Sequence, residues 1–279
     1  MHKNTLTILF IGLLTFKGIS QQSEVEEKLK VYYADEKYTK CANKAIKYTE
    51  SKKYKKDPIP YIYASMACLR IHQNYELRLE FPKAFKDALK YAGKYGKKDK
   101  ENLYYDTYIN HFNELKKIVF EENINLALLY HEKDDIMKGA RKSTNLIKKI
   151  NAMDPKDQGF WLLRATEEIK SKRKSKAKGI LRRTLPLLDS MSMNEPASYY
   201  SKREDETFHM RAIKDMSAIE QKALRKGIIE YVSYLKSKGK MEEAAEIIEA
   251  GKPFFYEKHE ELEVSYNSKY KELYNDIVS

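Results

Sequence analysis

The side chains able to do chemistry stand apart from one another along this chain. His72, His111, His131, His209 and His259 occur singly, with no His-x-x-x-His pair, no Cys-x-x-Cys pair and no glycine-rich phosphate loop. The densest collection of metal-ligand types is His131-Glu132-Lys133-Asp134-Asp135. It falls where one helix is expected to end and another to begin, so helix capping and solvation account for it better than a metal. Glu114 follows His111 by three residues, a spacing that would suit an acid–base pair, but a surface pair explains it better. No nucleophile has a base beside it. The expectation is a chain without catalytic residues, cofactor or metal.

Two cysteines, Cys41 and Cys68, are expected on neighbouring antiparallel helices. An even count permits one bridge, but Cα atoms must come within about 4.4–6.8 Å for it. Packed helix axes stand about 8–10 Å apart. Both cysteines sit among small apolar residues, so two buried free thiols are expected.

The elements that position these residues are helices. Ten Gly, seven Pro and 34% charged residues in a chain of 279 suit long helices with solvated outer faces, and 42% apolar content suffices for a substantial core. No long alternating Val/Ile/Thr run is present, so a sheet is not expected. A helix started by Pro58 and Pro60 and running through His72 is apolar almost all round, which marks it as central. A loop is expected over 93–100, and a helical pattern over 103–130 is expected to break near Lys117. The polar run 191–206, which carries Pro196, reads as a loop or insertion, followed by a long helix from about Thr207. Trp161 and the 22 tyrosines suit carbohydrate or peptide contact, although at helical spacing they more often pack.

The first twenty residues have the form of a secretory signal peptide: a short basic start at His2 and Lys3, an eleven-residue apolar run over 6–16, then Gly18-Ile19-Ser20. That run is short for a membrane span, which needs about 20 residues. There is no cysteine at the expected cut. The mature chain is expected to begin at Gln21, without a transmembrane segment, in a periplasm or outside the cell. Loss of Lys3 and Lys17 would take the formal net charge from +12 to +10. A basic surface suits an acidic protein, or an anionic envelope component such as a glycan or lipid headgroup, and export makes nucleic acid a poor partner.

Residues 228–253 hold the clearest pattern. Ile228, Tyr231, Val232 and Leu235 form one apolar stripe, Gly239 offers a helix-ending φ > 0, and Met241, Ala244, Ile248 and Gly251 continue a second helix to Pro253. This hairpin resembles a tetratricopeptide repeat, whose turn glycine is followed by large, small, large and small positions. Val232 departs from the small residue that the family prefers there. Looser versions of the pattern run through Tyr38, Cys41, Ala45 and Tyr48, through Gly139, Ser143 and Leu146 up to Asp154-Pro155, and through Ala177, Leu181 and Leu185.

The resemblance implies an all-α fold: a superhelical array of antiparallel helix hairpins over residues 21–279, a tetratricopeptide-like α-solenoid closed by a capping helix over 257–277. It further implies a non-enzymatic scaffold for protein–protein interaction, with the first helices of the hairpins lining a concave groove for a peptide or a partner protein. Carried over by phase, the groove candidates are Asn125, Leu128 and His131, then Leu162, Thr166 and Ile169, then Ile229, Ser233 and Lys236. The Lys/Asn clamp that some members use for a C-terminal carboxylate is not recognisable. The alternative is a protein that binds a cell-envelope polymer through a basic, tyrosine-rich face.

Overall fold

A computed structural model describes residues 24–99, 103–192, 194–203, 205–255 and 264–278. The expected signal peptide, residues 1–20, lies outside them, as does the start of the expected capping helix. Of the described residues, 76% are helical. Two compact units are distinguished by their internal packing, the first ending at Tyr108 and the second beginning at Ile109.

In the first unit, α1 (24–34) and α2 (Tyr38–Glu50) precede α3 (Ile59–Gln73), a short α4 (Tyr75–Glu80) and α5 (Ala84–Lys98). Helix α3 packs against α2 on one side and α5 on the other. That is why its sequence is apolar all round, with eleven of its residues buried from Ile59 to Ile71. Pro58 and Pro60 sit in the first turn, where a missing N–H costs nothing. The expected loop over 93–100 is instead the last turns of α5. Tyr91, Ala92 and Tyr95 are buried at helical spacing, and their burial outweighs the roughly 1 kcal/mol that each of Gly93 and Gly96 costs a helix. Cys41 and Cys68 are free and buried, and burial pushes both thiols up to about 12. The Cys41 thiol points at the Leu29 carbonyl, 3.6 Å away.

The second unit contains α6 (Ile109–Glu132), α7 (Ile136–Met153), α8 (Gln158–Lys170) and α9 (Lys174–Asp189). A hairpin of β1 (Ala197–Ser201) and β2 (Glu206–Met210) follows, then α10 (Ala218–Ser237), α11 (Met241–Ala250) and α12 (Val264–Val278). Helix α6 runs through Lys117 without a break, because Leu115, Val119, Phe120 and Leu126 keep one stripe buried along its length. Helices pack in chain order from α6 to α9, while α10 lies against both α8 and α6 and carries α11 and α12.

Residues 191–206 are not simply a loop. Ala197 pairs with Met210 and Tyr199 with Phe208 in an antiparallel ladder, and Ala197, Phe208 and Met210 turn into the core. The alternation is too short to stand out beside long helices. The helix expected from about Thr207 begins at Ala218. There Ser217 and Glu220 form a reciprocal capping box, each accepting the other's backbone N–H.

Four hairpins share one turn. Between α1 and α2, α6 and α7, α8 and α9, and α10 and α11, a single residue has positive φ: Glu36, Asp134, Lys172 and Gly239. Each donates its N–H three residues back, and the next residue donates five residues back, for example Gly239 to Lys236 and Lys240 to Leu235. That is the Schellman arrangement, which satisfies the last carbonyls of the first helix and reverses the chain. The hairpin thus recurs in structure where its sequence pattern fades.

Candidate functional site

The nine groove candidates do not share one open surface. Asn125, Leu128 and His131 are exposed on the C-terminal half of α6, Leu128 at 61%. Leu162, Thr166 and Ile229 are buried, so they pack rather than present themselves to a partner. The reason is the approach of α8 to α10. A Cβ on Gly227 would meet Leu162 at 2.9 Å, and one on Gly159 would meet the Glu220 carbonyl at 2.4 Å. Thr166 donates to the Glu230 carboxylate at 2.7 Å across the same contact. Ser233 is half-buried, and Lys236 is exposed and paired with Asp276 at 2.6 Å. Ile169 alone of the nine lines a large groove.

That groove has a volume of about 580 Å³ and opens between α9 and α10. Its floor is apolar: Ile169 from α8, Leu181 and Leu185 from α9, Leu235 from α10. One wall is a column of Lys174, Lys178 and Arg182, four residues apart and therefore on one face of α9. Opposite stand Tyr231 and Tyr234, their rings 6.4 Å apart and nearly parallel, with Tyr199 contributed by β1. Burial pushes the Tyr231 hydroxyl up to about 12, so it remains a neutral donor. The β-hairpin is braced against α9 by Arg183, whose guanidinium lies over the rings of both Trp161 and Phe208.

Beneath the surface lies an ionic knot that the sequence pattern did not single out. Lys116 of α6 is fully buried, with Nζ 2.8 Å from Asp154, 3.0 Å from Asp157 and 3.8 Å from Glu220. Arg211 closes the other side, 2.9 Å from Asp154 and paired with Glu220. The three carboxylates approach within 4.8 Å of one another, a metal-like grouping, but the Lys116 ammonium already stands among them as their cation. Burial opposes the Asp154 charge, yet Lys116 and Arg211 outweigh it and hold this carboxyl well below the usual range. Asp157 goes the other way. Complete burial, helped by the Glu220 and Asp154 charges, lifts its carboxyl to about 7 in spite of Lys116.

Asp157 also caps α8 by accepting from the Phe160 N–H at 3.1 Å. The signal for the knot was a lysine in phase with Phe112, Leu115 and Phe120 on an apolar face, together with the Ser217-x-x-Glu220 capping pattern.

A second cluster ties α8 to α10. Glu230 takes Lys170 at 2.9 Å and also Lys226, and these cations outweigh burial to bring its carboxyl down to about 2. Lys170 bridges on to Glu167 at 2.8 Å. In both clusters the charges are spent on one another inside the fold, which makes them braces between helices. Glu114 lines a surface groove between α6 and α10, while His111 is buried beside Phe112. His131 lines a smaller cavity of about 230 Å³ with Glu167 and Lys170. Compared with protein-family models, with curated proteins and with solved structures, the chain matches none.

Proposed function

We propose that this chain is an exported, non-enzymatic scaffold of tetratricopeptide-like hairpins, which holds a peptide or a segment of a partner protein in the groove between α9 and α10. The groove carries the reading: it is large enough for a ligand, apolar at its floor and polar at its rim, the composition of a recognition site. The shared turn of the four hairpins supports the repeat architecture behind it.

The test is a photo-crosslinking residue placed at Tyr234 in the groove, with a control at Tyr75 on the exposed surface of the first unit. A discrete protein adduct from Tyr234 and none from Tyr75 is expected in intact cells. Absence of any protein adduct from groove positions, together with retention of the purified chain on envelope glycan or lipid, overturns the scaffold reading. Recovery of the full-length chain from the cytoplasm overturns export. The second reading, binding of an anionic envelope polymer, is favoured by one observation, the closeness of basic and tyrosine side chains in this same groove.

A further inference from the structure

We infer that the occupant of the α9–α10 groove is an acidic amphipathic segment of a partner protein, with carboxylates one helical turn apart and apolar side chains beside them. The inference rests on the scaffold reading and specifies its ligand. Lys174, Lys178 and Arg182 are all exposed and rise along α9 in steps of about 6 Å, four residues of helix. Neither Lys174 nor Lys178 has an ion-pair partner among the described residues. Like charges at this spacing repel along a helix, so the Lys174–Lys178 pair is unfavourable in the free protein and is relieved by anions laid along it. The acid at this rim, Glu243, is already held by Lys240 at 2.5 Å.

The floor then decides between kinds of anion. Leu181, Leu185 and Leu235 offer no hydrogen bond, so a sugar ring pressed onto them would leave its hydroxyls desolvated without compensation. Leucine- or phenylalanine-like side chains lose nothing there and gain from leaving water. Tyr231 and Tyr234 carry a ring and a hydroxyl that suit either ligand, so they do not discriminate. Carboxylates above apolar side chains match the wall above the floor, which is how an amphipathic helix seats in a groove.

The experiment uses the full chain and a fluorescent synthetic helix with glutamates at every fourth position and leucines beside them. Binding is read by anisotropy, with a lysine-for-glutamate helix and polygalacturonate as rivals. The acidic helix is expected to bind, to weaken with salt, and to lose about tenfold or more in affinity on Lys174→Glu with Lys178→Glu. Leu185→Gln is expected to weaken the acidic helix and to leave polygalacturonate unaffected, with thermal melting confirming that each variant folds. No binding of the acidic helix, or binding indifferent to the two lysines, overturns the inference. Lysine-dependent binding of polygalacturonate that the helix cannot displace also overturns it, in favour of a polymer. If Tyr234 still cross-links a protein in either case, the scaffold reading stands without this ligand; if it does not, both fall.

Discussion

Lys116 Nζ lies 2.8 Å from Asp154 Oδ2 with both side chains shut away from solvent, so the middle of α6 is bonded to the turn between α7 and α8. The same ammonium reaches Asp157 and Glu220, and Arg211 answers the charge that it leaves over. Four separated stretches of chain meet at this point. Removing the lysine leaves Arg211 as the one cation for Asp154 and Glu220 among these contacts and takes from Asp157 its charged neighbour, all inside the fold.

Lys116→Met is therefore expected to destabilise the second unit by about 3–5 kcal/mol, the scale for breaking a buried ion pair on one side. Urea denaturation followed by circular dichroism measures it. A loss below about 1 kcal/mol would mean that the knot is solvated in the folded protein.

The pH dependence has a sign set by Asp157. Its folded carboxyl is raised to about 7 from an ordinary value of 3.8, so the folded state keeps a proton that the unfolded chain has released. The stability this contributes is full below about pH 4 and is lost as pH rises through 7. Asp157→Asn keeps the oxygen that caps α8 and removes the titration. The parent should lose stability steadily relative to this variant as pH rises from about 4 to about 7. A flat difference over that range would refute the shift. Asp154 and Glu230, both lowered, act in the opposite sense and weaken the fold only in acid below about pH 4.

The turns invite paired substitutions. Gly239→Ala puts a Cβ in open space but at φ +70°, so its cost is the backbone strain alone, about 1–2 kcal/mol. Lys172→Gly at φ +61° removes the same strain and should stabilise by up to about 1 kcal/mol. Urea midpoints of the two variants should move in opposite directions. A shift in the same direction would deny the shared geometry.

Close helix contacts make the last prediction. A Cβ at Gly251 would already stand 3.1 Å from Ile228, and Ala244 is fully buried. Gly251→Leu and Ala244→Lys should each cost about 2–5 kcal/mol through overpacking or an unpaired buried charge. Gly159→Ala is expected to cost about 3 kcal/mol, because its Cβ meets backbone atoms of α10 that no side-chain rotation can move aside. Melting within a degree or two of the parent would show that the helices are not packed this way.

Local periodicity by itself determined that the chain is helical, where α3 would be central, and that Gly239 and the Asp134-Asp135 pair would turn it. It could do so because a 3.6-residue stripe and a residue suited to positive φ are written within a few neighbours. Glu36 and Lys172 make the same turn with side chains that carry no such signal, so those hairpins became visible only in three dimensions. The β-hairpin escaped for a related reason, being five residues a strand with few alternations to read.

Tertiary structure alone decided which first-helix residues stay open at the surface and which are buried. Phase places Leu162 and Ile229 on an inner face, but whether that face opens or closes depends on how near α8 comes to α10, and Gly159 and Gly227 let the two helices meet. The ionic knot, too, existed only once folding brought Lys116, Asp154, Arg211 and Glu220 together, because a charge in one stretch cannot announce a partner a hundred residues away. The groove is the same kind of object. Its basic column, leucine floor and tyrosine wall were set opposite one another only by the packing around α9 and α10.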